Sequence, residues 1–546
     1  MDNYIGLLQN VLCKYWDKAS LTNYKSKSYT NADIASYILR MHILFEKLGI
    51  ERGQKMAICG KNSAEWAMAF LAITSYRAVV VPILSDFTIE NITALVDHSD
   101  SMLLFTDKKI SSEMDHHLMP KLKAVIEISQ SAPMYVRDEE LYSAFAKATI
   151  EFDRIYPSGP KPSDIHFDTS LPDDLAVINY TSGTTGSPKG IMLSYKNITS
   201  NINFGHKLIP NSCDDNAISI LPLAHMYGLA IEFLYTYLGG CHLYFLGRTP
   251  TPSILMSAFA EVKPYILVLV PLVIEKIFKN KVMPKLAKPW MKIVMVVPFV
   301  RRFVYKKIHD ELMGAFGGKV REIVIGGAAI SRPVEILMHR ARIPYTIGFG
   351  MTECAPLIGY EKWRKFILGS CGKVVDGMMI RVDSSNPERI VGELQVKGDN
   401  VTKGCYKNDD ITKTMFTEDG WLCTGDLGII DKHGNIFIKG RSKCMILSSN
   451  GQNIYPEEIE TKLNNMPSVA ESIVVERNKQ LVAIISLQVD DERDDNSQEQ
   501  LSALSDEIRK TINKMLPNYS QISKIEIKKD GFEHTPKHSI KRYLYR

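Results

Sequence analysis

Two short runs, Lys55-Met-Ala-Ile-Cys59 and Ala78-Val-Val-Val-Pro-Ile83, are apolar without alternation. Between them lies Ala64-Glu-Trp-Ala-Met-Ala-Phe-Leu-Ala-Ile73, whose pattern is helical. A strand with one face in water alternates apolar and polar side chains, so a run that is apolar throughout has to be covered on both faces. Such runs, separated by helices, demand a parallel sheet with helices packed on each side. The alternation continues from about Asn31 to Leu427, more than one core serves, so several sheets are expected. After Gly392 the character changes. Gly392-Glu-Leu-Gln-Val-Lys397, Asp426-Leu-Gly-Ile-Ile-Asp431 and Asn435-Ile-Phe-Ile-Lys439 are short strands divided by turn residues, a β-meander or small barrel.

Beyond Gly440-Arg-Ser-Lys443 the pattern restarts on a smaller scale. A helix from Pro456, strands near Glu471 and Leu481, a helix near Leu501 to Leu516 and a strand near Lys524 predict a separate α+β unit. The acidic stretch Asp490-Asp-Glu-Arg-Asp-Asp-Asn-Ser497 reads as an exposed loop.

Composition excludes several classes. The 546 residues carry a net charge of +5, too mild for their number to argue for nucleic acid as a partner. Nine scattered cysteines without a C-x-x-C pair point away from zinc ribbons and disulfide frameworks, toward a reducing, cytoplasmic setting. The first residues, Met1-Asp-Asn-Tyr-Ile-Gly-Leu-Leu-Gln-Asn10, lack a basic stretch followed by an apolar core, so no signal peptide is expected. The longest apolar runs, Tyr265 to Ile274 and Ile293 to Val300, fall short of the roughly 18 to 20 residues of a membrane span, so a soluble protein is expected. Around them lie ten Lys or Arg residues, from Lys276 to Lys307. A solvated charged face is the first reading of that neighbourhood, and peripheral contact with an anionic membrane is the second.

One loop is chemically loaded: Tyr180-Thr-Ser-Gly-Thr-Thr-Gly-Ser-Pro-Lys-Gly190. Glycines let backbone N–H groups approach phosphate oxygens, and Lys189 adds a point charge. The Walker A pattern fails, because Pro188 stands where its second glycine should be and Gly190 where Ser or Thr should be. The loop leads into a strand, Gly190-Ile-Met-Leu-Ser194, and a helix begins only after Ser194 as N-cap. Strand, loop, strand makes a hairpin-like clamp. An ordinary flexible Ser/Thr/Gly loop is the alternative.

The loop is succeeded in order by Leu221-Pro-Leu-Ala-His-Met-Tyr-Gly228, Gly326-Gly-Ala-Ala329, Gly348-Phe-Gly-Met-Thr-Glu353, Cys423-Thr-Gly-Asp426, Gly440-Arg-Ser-Lys443 and Asn453-Ile-Tyr-Pro-Glu-Glu-Ile-Glu460. From about residue 31 to 542 this series resembles the adenylate-forming acyl-CoA synthetase superfamily. Through Val262 to Phe278 and the His-Ser-Ile-Lys-Arg-Tyr ending, it is most similar to the long-chain fatty acid:CoA ligases. The resemblance implies an α/β fold: a large N-terminal domain of doubly wound α/β subdomains plus a small β-barrel over 1–441, a hinge at 442–443, and a small mobile α+β C-terminal domain over 444–546. It also implies ATP, Mg²⁺ and coenzyme A, with a fatty or other carboxylic acid converted first to acyl-AMP and then to a thioester.

The resemblance also carries roles for single residues. The loop of Thr181, Ser182, Gly183, Thr184, Thr185, Gly186 and Lys189 embraces the phosphates, with Lys189 acting in catalysis. Glu353, with Thr184, holds the metal, and Thr352 lies beside the α-phosphate. Gly326, Gly327, Ala328, Gly348, Phe349 and Gly350 line the nucleotide. Asp426 accepts from the ribose hydroxyls, backed by Arg441. His225 gates the carboxylate tunnel, Lys443 is the hinge, and Gly451 lets pantetheine pass. Taken singly, each has a plainer reading: Asp426 a turn residue, His225 a satisfied, partly buried histidine, Glu353 a cap or the partner of a neighbouring lysine.

One departure stands out. The superfamily's adenylation lysine aligns with Ser539 in Glu533-His-Thr-Pro-Lys-His-Ser-Ile-Lys-Arg542. Loss of one charged donor typically costs on the order of 100- to 1,000-fold in the step it serves. In an extended segment, residues two apart face the same way, so Lys537 or Lys541 is expected to substitute. Two alternatives stand beside the ligase: loading of an acyl carrier protein's phosphopantetheine, and a non-catalytic protein that binds acyl group and nucleotide. Chain length, oligomeric state and membrane association are left open by the sequence.

Overall fold

The computed structural model describes residues 3–181, 188–248, 250–447, 453–477, 480–488, 498–517, 520–528, 530–534 and 540–545. Its largest sheet has seven strands in the order Pro133–Val136, Ala124–Glu127, Ser101–Thr106, Lys55–Cys59, Val79–Ile83, Leu175–Thr181, Lys189–Ser194. The inner pairings are parallel and the two outermost are antiparallel. Val79–Ile83 is buried at every position, as its unbroken apolar run requires. Helix Ala64–Ser75, capped by the Ser63 hydroxyl, is buried along nearly its whole length and sets Trp66 and Phe70 into the core.

At one edge of this sheet the strands Leu175–Thr181 and Lys189–Ser194 pair antiparallel, with Thr181 opposite Lys189. The chain therefore leaves and re-enters the sheet at neighbouring points. Ser194 then caps helix Tyr195–Leu208 through a capping box with Asn197.

A second sheet, of three parallel strands, comprises Ile266–Leu269, Glu322–Ile325 and Tyr345–Ile347. The apolar run from Tyr265 to Ile274 is split here. Val270 ends the strand, and Pro271, whose missing N–H costs nothing in the first helical turn, starts helix Pro271–Lys281. The run from Ile293 to Val300 contains no strand and is divided between helices Pro289–Val294 and Pro298–Ala315. Among the described residues no helix is long and apolar enough to cross a membrane.

The expected β-rich segment is an antiparallel meander of Met378–Asp383, Gly392–Gly398, Leu422–Ile430 and Ile436–Arg441. Beyond it, Val469–Arg477, Gln480–Leu487 and Lys524–Ile527 form a three-stranded sheet with helices Pro456–Asn464 and Gln498–Asn513. The buried apolar side chains of this last part form clusters drawn only from residues after 445.

Candidate active site

In an open parallel sheet, a crevice forms outside the carboxyl ends of the strands. Gly326 and Gly327 follow the strand Glu322–Ile325, and Gly348 follows its neighbour Tyr345–Ile347. The Gly326 N–H donates to Leu269 O at 3.1 Å and the Gly348 N–H to Ile325 O at 2.8 Å, so all three strands end at one level. Side chains are barred here. A Cβ on Gly326 would stand 3.0 Å from the Tyr227 ring, Gly327 has φ +86°, and a Cβ on Gly350 would meet Pro356 O at 2.2 Å. Gly327 and Ala328 are exposed above buried Gly326, and Phe349 is buried beneath. The result is a floor of bare backbone on which a flat ring can lie.

Thr352 and Glu353 open a 3-10 turn, Thr352–Cys354, at the crevice rim, with Thr352 buried and Glu353 half-buried. The segment 402–406 stitches this turn to the strand that begins with Lys189. The Thr402 N–H donates to Glu353 O at 2.8 Å, and the Thr402 hydroxyl donates to Met192 O at 2.5 Å. Tyr406 N–H donates to Gly190 O at 2.7 Å, and Met192 N–H to Gly404 O at 3.0 Å. Cys405 sits in the middle: burial pushes its thiol up, the Lys189 charge draws it back, and the Glu353 carboxylate raises it further. One side chain thus feels both charges, and the bonds of segment 402–406 bring the two stretches of chain that carry them side by side.

Asp426 is not a turn residue. It lies in the strand Leu422–Ile430 directly opposite Arg441, and is 6% exposed. Arg441 Nε stands 3.1 Å from Asp426 Oδ1, and the arginine itself is largely in solvent. Burial pushes the Asp426 carboxyl above its ordinary value, Arg441 pulls it down, and the charges of Glu353 and Glu457 push it up again. A carboxylate with a single cationic partner retains acceptor capacity for further donors.

His225 is partly buried, and its Nδ1 accepts the Tyr227 N–H at 3.3 Å, leaving Nε2 to carry the ring proton. Its loop is held by three residues that carry no motif. The Asn62 side chain donates to Leu221 O at 2.6 Å and accepts the Leu223 N–H at 2.9 Å, while Asn179 donates to Ala224 O at 2.9 Å. Glu232, 1% exposed, accepts the Leu221 N–H at 3.0 Å and the Ser219 hydroxyl at 2.9 Å. Glu232 lies in a π-helical stretch, Tyr227–Leu234, that starts immediately after the loop. The one trace in the sequence is an acidic residue inside the apolar run Leu229-Ala-Ile-Glu-Phe-Leu234.

Thr181 and Lys189 are the described ends of the phosphate-type loop; Ser182, Gly183, Thr184, Thr185 and Gly186 lie outside the described residues, as do Gly451, Lys537 and Ser539. Lys541 is described: Ile540 pairs antiparallel with His534, so the chain has reversed, and Lys541 Nζ is 3.3 Å from Glu533 Oε2. Arg542 is bound to buried Glu460, which also accepts the Val474 N–H at 2.6 Å. Among the described residues no group of three or more His, Cys, Asp or Glu is arranged to hold a metal.

The chain is similar to known proteins in sequence and in fold. The AMP-binding enzyme profile matches residues 9–406, and that of the AMP-binding enzyme C-terminal domain matches residues 444–545. The long-chain-fatty-acid–CoA ligase FadD15 of Mycobacterium bovis is 27% identical over 475 residues, covering 82% of this chain and 75% of that protein. Long-chain-fatty-acid–CoA ligase 5 of Mus musculus is 27% identical over 480 residues, covering 80% and 67%. Among solved structures, ATP-bound MatB from Rhodopseudomonas palustris has a TM-score of 0.77 at 21% identity, covering 100% of this chain and 98% of that one. The anthranilate CoA ligase AuaEII with anthranoyl-AMP has a TM-score of 0.78 at 18% identity, covering 99% and 96%.

The clasp on the His225 loop has a measurable signature. Burial pushes the Glu232 carboxyl from an ordinary 4.5 up to about 8. Between those values the folded chain keeps a proton that the unfolded chain has lost, so this group's contribution lowers stability as pH rises through the window and levels off above it. The Glu232→Gln variant is expected to remove that slope, with a difference from the parent on the order of a few kcal/mol between the two ends. Urea midpoints across the window, compared for parent and variant, check it; parallel curves would show that Glu232 does not titrate as described.

Proposed function

The chain belongs to the AMP-binding enzyme family, and from that membership and the crevice geometry we propose that it activates a fatty acid with ATP and hands it to coenzyme A. The general activity is that of an adenylate-forming acyl-CoA ligase, an acid–thiol ligase acting on a carboxylic acid, ATP and CoA. Fatty acid as the substrate rests on the curated relatives. What supports this assignment of the site is that Glu353, three residues after Gly350, is coupled electrostatically to the Asp426–Arg441 pair and shares with Lys189 an influence on Cys405.

In the first half-reaction a carboxylate oxygen attacks the α-phosphorus of ATP, a P–O bond forms, the bond to the β-phosphate oxygen breaks, and pyrophosphate leaves. Charge builds on the phosphates, so donors fixed in advance stabilise it most. Lys189 and the loop before it would face the departing phosphates. Glu353 would hold Mg²⁺, which takes few protein ligands and would supply positive charge where negative charge builds on the phosphates. Thr352 would reach the α-phosphate and Asp426 the ribose hydroxyls. His225, held in place by Asn62, Asn179 and Glu232, would face the acid. In the second half-reaction the CoA sulfur attacks the acyl carbon, the bond to AMP breaks, and the thiol proton is lost.

Two nucleophiles at one adenylate call for two arrangements. We place the hinge at 442–443, between units 1–441 and 444–546, with Lys443 at the pivot. The contacts across it include polar ones: Lys439 to Glu458 at 3.6 Å, and the Ser331 hydroxyl to Asn465 at 2.7 Å. Interfaces held by such contacts part at low cost.

Three outcomes are expected. In a screen of acids from acetate to oleate plus benzoates, AMP release should require an acid and be greatest with long aliphatic chains; release greatest with a benzoate, or thioester formed only on a carrier protein's phosphopantetheine, would sink the substrate assignment. Glu353→Gln should lower acid-dependent ATP–pyrophosphate exchange on the order of 100- to 1,000-fold. Replacing both Lys537 and Lys541 by Ala should depress exchange while sparing thioester formation from supplied acyl-AMP, and unchanged exchange would remove both lysines from adenylation.

A further inference from the structure

Ten Lys or Arg and no Asp or Glu lie between Lys276 and Lys307. A solvated charged face accounts for that much. It does not account for what the fold sets among the charges. Of the seventeen large apolar side chains most exposed among the described residues, six fall within 290–303. Trp290 is 55% exposed, Val296 76%, Phe299 85% and Phe303 67%, joined by Val297 and Val300. Residues 296–303, Val-Val-Pro-Phe-Val-Arg-Arg-Phe, are exposed at all eight positions. Pro298 starts a new helix there, so this exposed tip consists of the end of the connection from helix Pro289–Val294 and the first turns of helix Pro298–Ala315.

Cations flank the tip. Lys285 and Lys306 are paired, with Glu311 at 2.7 Å and Asp310 at 3.3 Å. Among the described residues Lys288, Arg301 and Arg302 are in no ion pair, and all three are exposed.

We infer that residues 285–307 form a docking surface for an anionic lipid bilayer, with the Val296–Phe303 tip entering the headgroup boundary and Lys288, Arg301 and Arg302 meeting lipid phosphates. An interfacial element needs both an apolar wedge and a cationic collar, and here they are interleaved. A nucleic acid would use the cations and could stack on the aromatic rings, but it has no use for exposed Val296, Val297 and Val300. The contact is peripheral, since no described helix in this segment spans a bilayer. The inference goes beyond the ligase reading and does not depend on it.

Flotation of the purified full-length chain, without ATP or acid, tests it. Vesicles of phosphatidylcholine and phosphatidylglycerol in equal parts should carry the protein upward, and phosphatidylcholine alone should carry little. Arg301→Gln with Arg302→Gln should lower partitioning roughly 30-fold, at about fivefold per cation lost near the surface. Phe299→Ser with Phe303→Ser should lower it on the order of tenfold. All four side chains are exposed, so circular dichroism and acid-dependent AMP release in detergent-free buffer with a short-chain acid should match the parent. Three results overturn the inference: no flotation with either vesicle, flotation indifferent to both double variants, or loss with the arginine pair but none with the phenylalanine pair, the pattern of a purely polyanion-binding face. Should ligase activity be absent while flotation behaves as expected, only the reading of the crevice falls.

Discussion

The hydrogen bonds made by residues 402–406 hold the site together. Glu353 and Lys189 come from different sheets, and neither strand system fixes the distance between them. The Thr402 N–H on Glu353 O and the Tyr406 N–H on Gly190 O do so, with a short connecting segment whose backbone is paired on both sides. Backbone hydrogen bonds are geometrically strict and are costly to leave unmade in a buried setting. Opposite charges are therefore set around Cys405 by main chain, and the side chains need only extend from positions already determined.

Charge burial runs through the same region. Asp426 and Glu232 are both nearly inaccessible, and in both burial raises the carboxyl. Their surroundings differ. Asp426 has a guanidinium beside it, which opposes the upward push of burial. Glu232 has hydroxyl and amide donors only, so it holds its proton into the neutral range and acts on the His225 loop through hydrogen bonds. Two buried carboxyls in one large domain thus have different surroundings, one facing a cation and one facing only neutral donors.

Much of this was legible in the chain. The unbroken apolar runs required a covered parallel sheet, and Ser194 marked the end of a hairpin and the start of a helix; both features are present. The role of the glycines at 326, 327 and 348 came from the resemblance alone; the structure shows that they follow strands. Asp426 was ambiguous, because a Thr-Gly-Asp sequence suits a turn; only its pairing with Arg441 across the sheet settles it as a strand residue. The clasp on the His225 loop was not legible. Asn62, Asn179 and Glu232 reach it from three separate parts of the chain, and no periodicity links residues brought together by tertiary packing. The exposure of Phe299 and Val296 was hidden for a related reason: an apolar run predicts burial, but Pro298 starts a helix whose first turns are exposed and which reaches a core only further along, at Ile308 and Leu312.

The proposed lipid surface and the crevice are parts of one packed body. Helix Pro271–Lys281 starts directly after Val270, whose Cγ1 lies 3.8 Å from where a Cβ on Gly327 would be, and its Glu275 accepts the Ser331 N–H at 2.6 Å. Ile274, Ile277 and Phe278 from that helix, and Ile308 and Leu312 from the helix that carries the tip, share a core cluster with Ile323, Ile325 and Ile347 of the strands ending at the crevice. Close-packed cores do not deform continuously, so the tip stands at a fixed position relative to the nucleotide floor. A long-chain acid dissolves in bilayers because each buried methylene is worth about 0.8 kcal/mol. For a ligase of such acids, that apolar partitioning favours a site held on the same packed body as a lipid-docking surface.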